Sequence, residues 1–77
     1  MPHIIVKLFP GRTMQQKTEL TKKIVENVVS IAGCKESSVS VSFEEIEASE
    51  WAEKVYRPDI LDKKSTLIKE PGYNPFE

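Results

Sequence analysis

Cysteine and histidine each occur once in this 77-residue chain, as Cys34 and His3. A single cysteine excludes an internal disulfide, and one cysteine plus one histidine fall short of the ligand set of a conventional zinc site. No apolar stretch approaches the ~18 residues that a membrane span needs, and no basic start followed by an apolar core marks an export signal. An excess of one charge is missing too. Eleven basic residues against twelve acidic give a net charge of -1, with the two signs interspersed, which excludes the clustered Lys and Arg of a nucleic-acid footprint. The lone thiol and the missing signal place the chain in the reducing cytoplasm. At this length a single core stabilises only marginally. With disulfides and metals set aside, association with further copies is the remaining source of stability.

What is present begins with Pro2, directly behind Met1 and at the head of the apolar run His3 to Phe9. Initiator methionine is usually trimmed before a small residue, proline included. Trimming converts the Pro2 nitrogen from an amide without a basic lone pair into a rigid secondary amine. The plain reading stands beside it: proline is tolerated at the first residue of a strand because it has no N–H to offer the ladder.

Ile4, Val6 and Leu8 alternate with His3, Ile5, Lys7 and Phe9, which predicts a strand with apolar groups on both faces. Pro10-Gly11 ends it in a turn. Thr13 and Gln16 match a capping box, and Leu20, Ile24, Val28 and Ile31 lay one stripe along a helix predicted over 13–32, closed by Gly33. The charged residues at 17, 19, 22, 23 and 26 read as its solvated face. Ser38 to Phe43 alternates polar and apolar, so a second strand follows with Val39, Val41 and Phe43 inward.

Strand, helix and strand make a right-handed βαβ unit with parallel strands. Two strands are too little sheet, and Ile5 and Phe9 remain on the face that the helix does not cover. The sheet is therefore expected to extend by oligomerisation, with any pocket at or near the subunit boundary. A C-terminal helical segment completes the α/β chain. Ser49 caps a helix through Trp51 and Val55, Pro58 breaks or kinks it, and a further helix runs to about Lys69 before Pro71-Gly72. The tail Tyr73 to Glu77 is expected to drape over a partner subunit. No internal repeat or boundary divides residues 1–77, which read as one domain.

Pro2 opening a strand, Gly11-Arg12 at its end, Thr13-x-x-Gln16-Lys17 starting the helix and Ser38-Val39 to Glu45 as second strand resemble, in that order, the 4-oxalocrotonate tautomerase family. The tail Leu67-Ile68-Lys69-Glu70-Pro71-Gly72-Tyr73 is similar to its longer bacterial, phenylpyruvate tautomerase-like members. The resemblance implies a tautomerase fold and a catalytic role for Pro2 as general base. It implies that Arg12 binds the substrate carboxylate, and that Trp51 lines an apolar pocket that depresses the amine's pKa. The family's second arginine falls on Ser40, so that role does not carry over. The longer members are dimers and the short ones hexamers, and residues 55–77 favour the dimer.

The physical chemistry of each position agrees. A proton next to a carbonyl is removed best by a base titrating near the working pH, and burial against Trp51 with a cation at Arg12 moves a terminal amine in that direction. Arg12 offers a planar fork to a carboxylate, against the plainer role of capping a loop or pairing with Glu45. Trp51 is also read as an ordinary core or interface anchor, with its indole N–H a possible donor to substrate. His3 points away from the Pro2 ring by strand alternation and reads as a solvent or subunit contact.

The expected function is keto-enol isomerisation of a 2-oxo acid. With Ser40 uncharged, the substrate is expected to be a monocarboxylate such as phenylenolpyruvate, handled without cofactor or metal. Hydratase or dehalogenase chemistry on the same scaffold, and a noncatalytic oligomeric module for a small aromatic anion, are the alternatives.

Overall fold

The computed structural model describes all residues, Met1–Glu77. The chain forms two compact units, Met1–Glu45 and Ile46–Glu77.

The first unit is the expected βαβ arrangement. Strand β1 (His3–Leu8) and strand β2 (Ser40–Glu45) pair in parallel, with His3 opposite Ser40, Ile5 opposite Ser42 and Lys7 opposite Glu44. Helix α1 (Met14–Asn27) connects them. β2 starts two residues later than its alternation suggests, because a 3₁₀ turn over Glu36–Ser38 precedes it. Ile4, Val6 and Leu8 are half-buried, while Ile5 and Phe9 stay 48% and 43% exposed.

The capping box at the start of α1 is present in full. Thr13 Oγ1 accepts from the Gln16 N–H at 3.1 Å, and the Thr13 N–H donates to Gln16 Oε1 at 2.8 Å. Each satisfies a donor that a helix start would otherwise leave unpaired. The regular helix ends five residues before Ala32, widening into a π-type turn over Val28–Gly33 in which the Cys34 N–H reaches the Val29 carbonyl. Gly33 terminates it at φ +73°, as glycine can without steric cost.

Two expectations about α1 are corrected. Leu20 and Ile31, two of the four stripe residues, are 42% and 84% exposed, and the covered face runs instead through Lys17, Thr21, Ile24, Val25, Val28 and Val29. Lys17 is not solvated: its stem is half-buried and its Nζ lies 3.5 Å from Glu45 at the end of β2. A long aliphatic stem with a paired head covers apolar surface as well as a shorter apolar residue does.

The second unit contains helix α2 (Ala52–Leu61), reached through a 3₁₀ turn over Ala48–Glu50. α2 is a wide π-type helix that runs straight through Pro58, closed by the Asp62 N–H on the Arg57 carbonyl at 2.9 Å. The expected break at Pro58, with a further helix to Lys69, is therefore not observed. Proline lacks the N–H of the ordinary helical bond and its ring crowds the carbonyl four residues back. Widening to five-residue spacing removes that conflict. Beyond α2 the chain makes only a 3₁₀ turn at Lys64–Thr66 and then extends at Leu67.

The tail packs on α2 of its own chain. The Tyr56 hydroxyl donates to the Tyr73 carbonyl at 3.3 Å, their rings lie 5.5 Å apart, and Phe76 meets Tyr56 edge-on at 5.9 Å. The Arg57 guanidinium sits 4.5 Å over the Phe76 ring while forking onto both oxygens of Glu53 at 2.9 and 3.2 Å. That hydrogen bond, with the attraction of the charges added, holds the Glu53 carboxyl below its ordinary range and raises Arg57. Val55 and Tyr56, at 4% and 8% exposure, are the buried apolar residues of the whole chain.

Candidate active site

Pro2 immediately precedes β1 and is half-buried, whereas Met1 is fully exposed. The Pro2 carbonyl accepts the backbone N–H of Ser40 at 3.1 Å, which extends the ladder by one bond and fixes the head of the strand. One residue on, His3 Nδ1 lies 2.7 Å from Ser40 Oγ across the two strands. His3 thus has a partner within its own chain, the residue that stands where the resemblance expects a second arginine.

Arg12 is held by structure on both sides. Gly11 takes φ +125° with open space around it, so it is the backbone conformation that asks for glycine there. Thr13 caps α1 on the other side. The Arg12 side chain is exposed, and its Nη1 makes a long, 3.5 Å contact to the Phe9 carbonyl. The pairing with Glu45 is not made, because Lys17 takes that carboxylate. The guanidinium rests on one carbonyl at the strand end, which engages one of its five donors.

Trp51 belongs to the second unit, at the junction of the 3₁₀ turn and α2, and is half-buried. Its indole N–H donates to the Tyr73 hydroxyl at 2.8 Å. The indole donor considered for substrate is therefore engaged within its own unit. Tyr73 escaped notice in the sequence because a tyrosine after Pro71-Gly72 looks like any tail residue. The His3–Ser40 bond was hidden for a different reason: residues 37 positions apart meet only once the strand register is known.

A groove of about 900 Å³ along α1 has Met14, Val25, Val29 and Phe43 in its lining beside the charged Lys17, Lys22, Glu26 and Glu36, and contains none of Pro2, Arg12 and Trp51. Concavity alone therefore does not locate the expected site residues.

The profile of the tautomerase enzymes matches this chain over residues 2–56, starting at Pro2 and covering more than half its length. The chain is a member of the tautomerase family. It is 40% identical over 73 residues to a probable tautomerase of Xylella fastidiosa, covering 95% of this chain and 89% of that one. It is 39% identical over 75 residues to the tautomerase PptA of Klebsiella pneumoniae strain ATCC 700721, covering 96% and 99%. Among solved structures, the crystal structure of YwhB, a homologue of 4-oxalocrotonate tautomerase, superposes with a TM-score of 0.58 at 37% identity, over 60% of this chain and 75% of that one. Tautomerases are isomerases, and family membership makes this α/β chain an enzyme of that class. No helix is long and apolar enough to cross a membrane.

Proposed function

We propose that this tautomerase interconverts the enol and keto forms of a 2-oxo acid, with Pro2 as the general base once Met1 has been removed. The observation that carries the proposal is the setting of Pro2. It stands at the head of β1, half-buried and tied to β2 through its carbonyl, behind a fully exposed Met1 that leaves the preceding peptide bond open to processing. An α-amine in water titrates near ~8, and a secondary amine somewhat higher. Apolar surroundings disfavour the ammonium form and so favour a neutral base at physiological pH. Arg12 rests on the Phe9 carbonyl at the opposite end of β1 from Pro2, so its charge meets this amine only across a subunit boundary. The base takes the proton from the enol oxygen and returns it to carbon, so the reaction is balanced without cofactor or metal.

Arg12 is assigned the substrate carboxylate, for which its exposed and largely uncommitted fork is suited. Trp51 is assigned the apolar wall, with its ring steadied by Tyr73. Because Ser40 brings no charge where the resemblance expects a second arginine, the favoured substrate is a monocarboxylate with an apolar or aromatic tail, such as phenylenolpyruvate. Residues 1–77 are taken to act as one tautomerase domain, assembled as a homodimer in the cytoplasm. Assembly is supported by the first unit, whose strands and helix bury no side chain completely.

Ketonisation of phenylenolpyruvate tests the proposal, with a dicarboxylate enol as comparison. Pro2→Ala is expected to lose ~100-fold to 10,000-fold in rate, the range of general-base catalysis, and Arg12→Ala to raise KM. Mass spectrometry of the mature protein should find Pro2 as its first residue. A retained Met1, or parental rates in both variants, defeats the proposal.

A further inference from the structure

The proposed reaction leaves one group unnamed. When the base works on the enol, negative charge gathers on the substrate's 2-oxygen, two bonds from the carbon that receives the proton. Ser40 carries no charge to meet it, and the Trp51 N–H is committed to Tyr73. We infer that the His3–Ser40 pair supplies this hydrogen bond, with the Ser40 hydroxyl as donor to the substrate oxygen and His3 as the residue that turns the hydroxyl proton outward. This inference rests on the reading of Pro2 as the base.

The geometry lies within one unit. His3 follows Pro2 directly, Ser40 is its partner in the strand register, and the Ser40 N–H is bonded to the Pro2 carbonyl. The Pro2 nitrogen is a backbone atom at the end of β1, so the alternation that sends the Pro2 ring and the His3 ring to opposite faces does not carry the nitrogen away from Ser40. Both side chains of the pair are exposed, and a ligand can reach them.

The proton inventory gives the pair its direction. At 2.7 Å, Nδ1 and Oγ share one hydrogen. With the ring hydrogen on Nε2 alone, the imidazole accepts from Ser40 and turns the serine proton inward, leaving none for the substrate. With a hydrogen on Nδ1, the imidazole donates to Ser40 Oγ and the serine proton is free to point outward. β2 is the element paired with β1, and its carboxylates are engaged elsewhere: Glu44 with Lys7 at 3.7 Å, and Glu45 with Lys17. Neither is the partner of the imidazole.

The test is kcat and KM for ketonisation in the parent, Ser40→Ala, His3→Phe, His3→Asn and Pro2→Ala. Ser40→Ala should lose about tenfold in kcat with KM little changed, less than a fully enclosed oxyanion donor because this one is exposed. His3→Phe removes the donor behind the hydroxyl and should lower kcat in the same way, whereas His3→Asn places an amide N–H near the position of Nδ1 and should recover most of that loss. Circular dichroism establishes that each variant is folded, and should Ser40→Ala fail to fold, the comparison of His3→Phe with His3→Asn decides alone. Parental kcat in Ser40→Ala or in His3→Phe overturns the inference. An active Pro2→Ala would instead defeat the reading beneath it, and the two failures are told apart by which variant retains its rate.

Discussion

Residues Met1–Glu45 hold both strands and the one regular α-helix, yet not one buried side chain. Residues Ile46–Glu77, made of a wide helix and short turns, contain both Val55 and Tyr56. Regular hydrogen bonding and burial have thus been allotted to different parts of the chain. A two-stranded sheet with one helix cannot enclose its side chains, and Ile5, Phe9 and Leu20 stay 48%, 43% and 42% exposed. The second unit uses aromatic bulk instead: Tyr56, Tyr73 and Phe76 cluster within 5.5 to 5.9 Å, and Arg57 closes the cluster from above. Secondary structure and burial are separable, and in this chain the more regular part is the less buried one.

The contrast can be broken most severely at Tyr56. Tyr56→Ala removes the buried ring against which the tail rests and is expected to cost about 3 kcal/mol, at the low end of aromatic truncations because the hydroxyl is partly solvated. Urea denaturation measures it, and a cost below ~1 kcal/mol would mean that the second unit does not owe its order to this cluster.

Dilution comes next. If the first unit is completed by a second copy, each tenfold dilution should remove about 1.4 kcal/mol of apparent stability, read as a falling Tm, and light scattering should give two copies. A monomer whose Tm ignores concentration would show that the open βαβ unit stands alone. Six copies would keep the dependence and overturn the dimer.

At the helix start, Thr13→Ala breaks half of the capping box and should cost about 1 kcal/mol in thermal or urea unfolding. The smallest effect belongs to Glu53, which is fully exposed. Its folded-state pKa is depressed by Arg57, so its contribution is present above the ordinary carboxylate range and lost as pH falls through the folded value. A small Tm deficit of Glu53→Gln at neutral pH should therefore close in acid, and shrink in salt. A gap that is unchanged in acid would remove the ion pair as its cause.

Much of this was readable in advance, and the boundary between what was and what was not follows a physical line. Thr13 with Gln16, Gly33 behind the helix, and the alternation of Ile4, Val6 and Leu8 are local signals, set by the chain's own dihedrals and nearest neighbours. They yielded the βαβ order and the position of Arg12 between turn and cap. Pro58 misled for the same reason. A local rule says that proline ends a helix, but the rule assumes four-residue spacing, and α2 escapes it by widening.

The order of residues alone thus settled the α/β class, the strand-helix-strand order, and Pro2, Arg12 and Trp51 as positions to watch, because periodicity, caps and side-chain chemistry are written within a few neighbouring residues. Which partners those side chains find was settled by folding. His3 on Ser40, Trp51 on Tyr73, Lys17 on Glu45 and the tail on Tyr56 join residues 17 to 37 positions apart. Such pairs exist only after strand register and helix packing have brought distant segments within hydrogen-bond reach, and a linear pattern carries no distance between them.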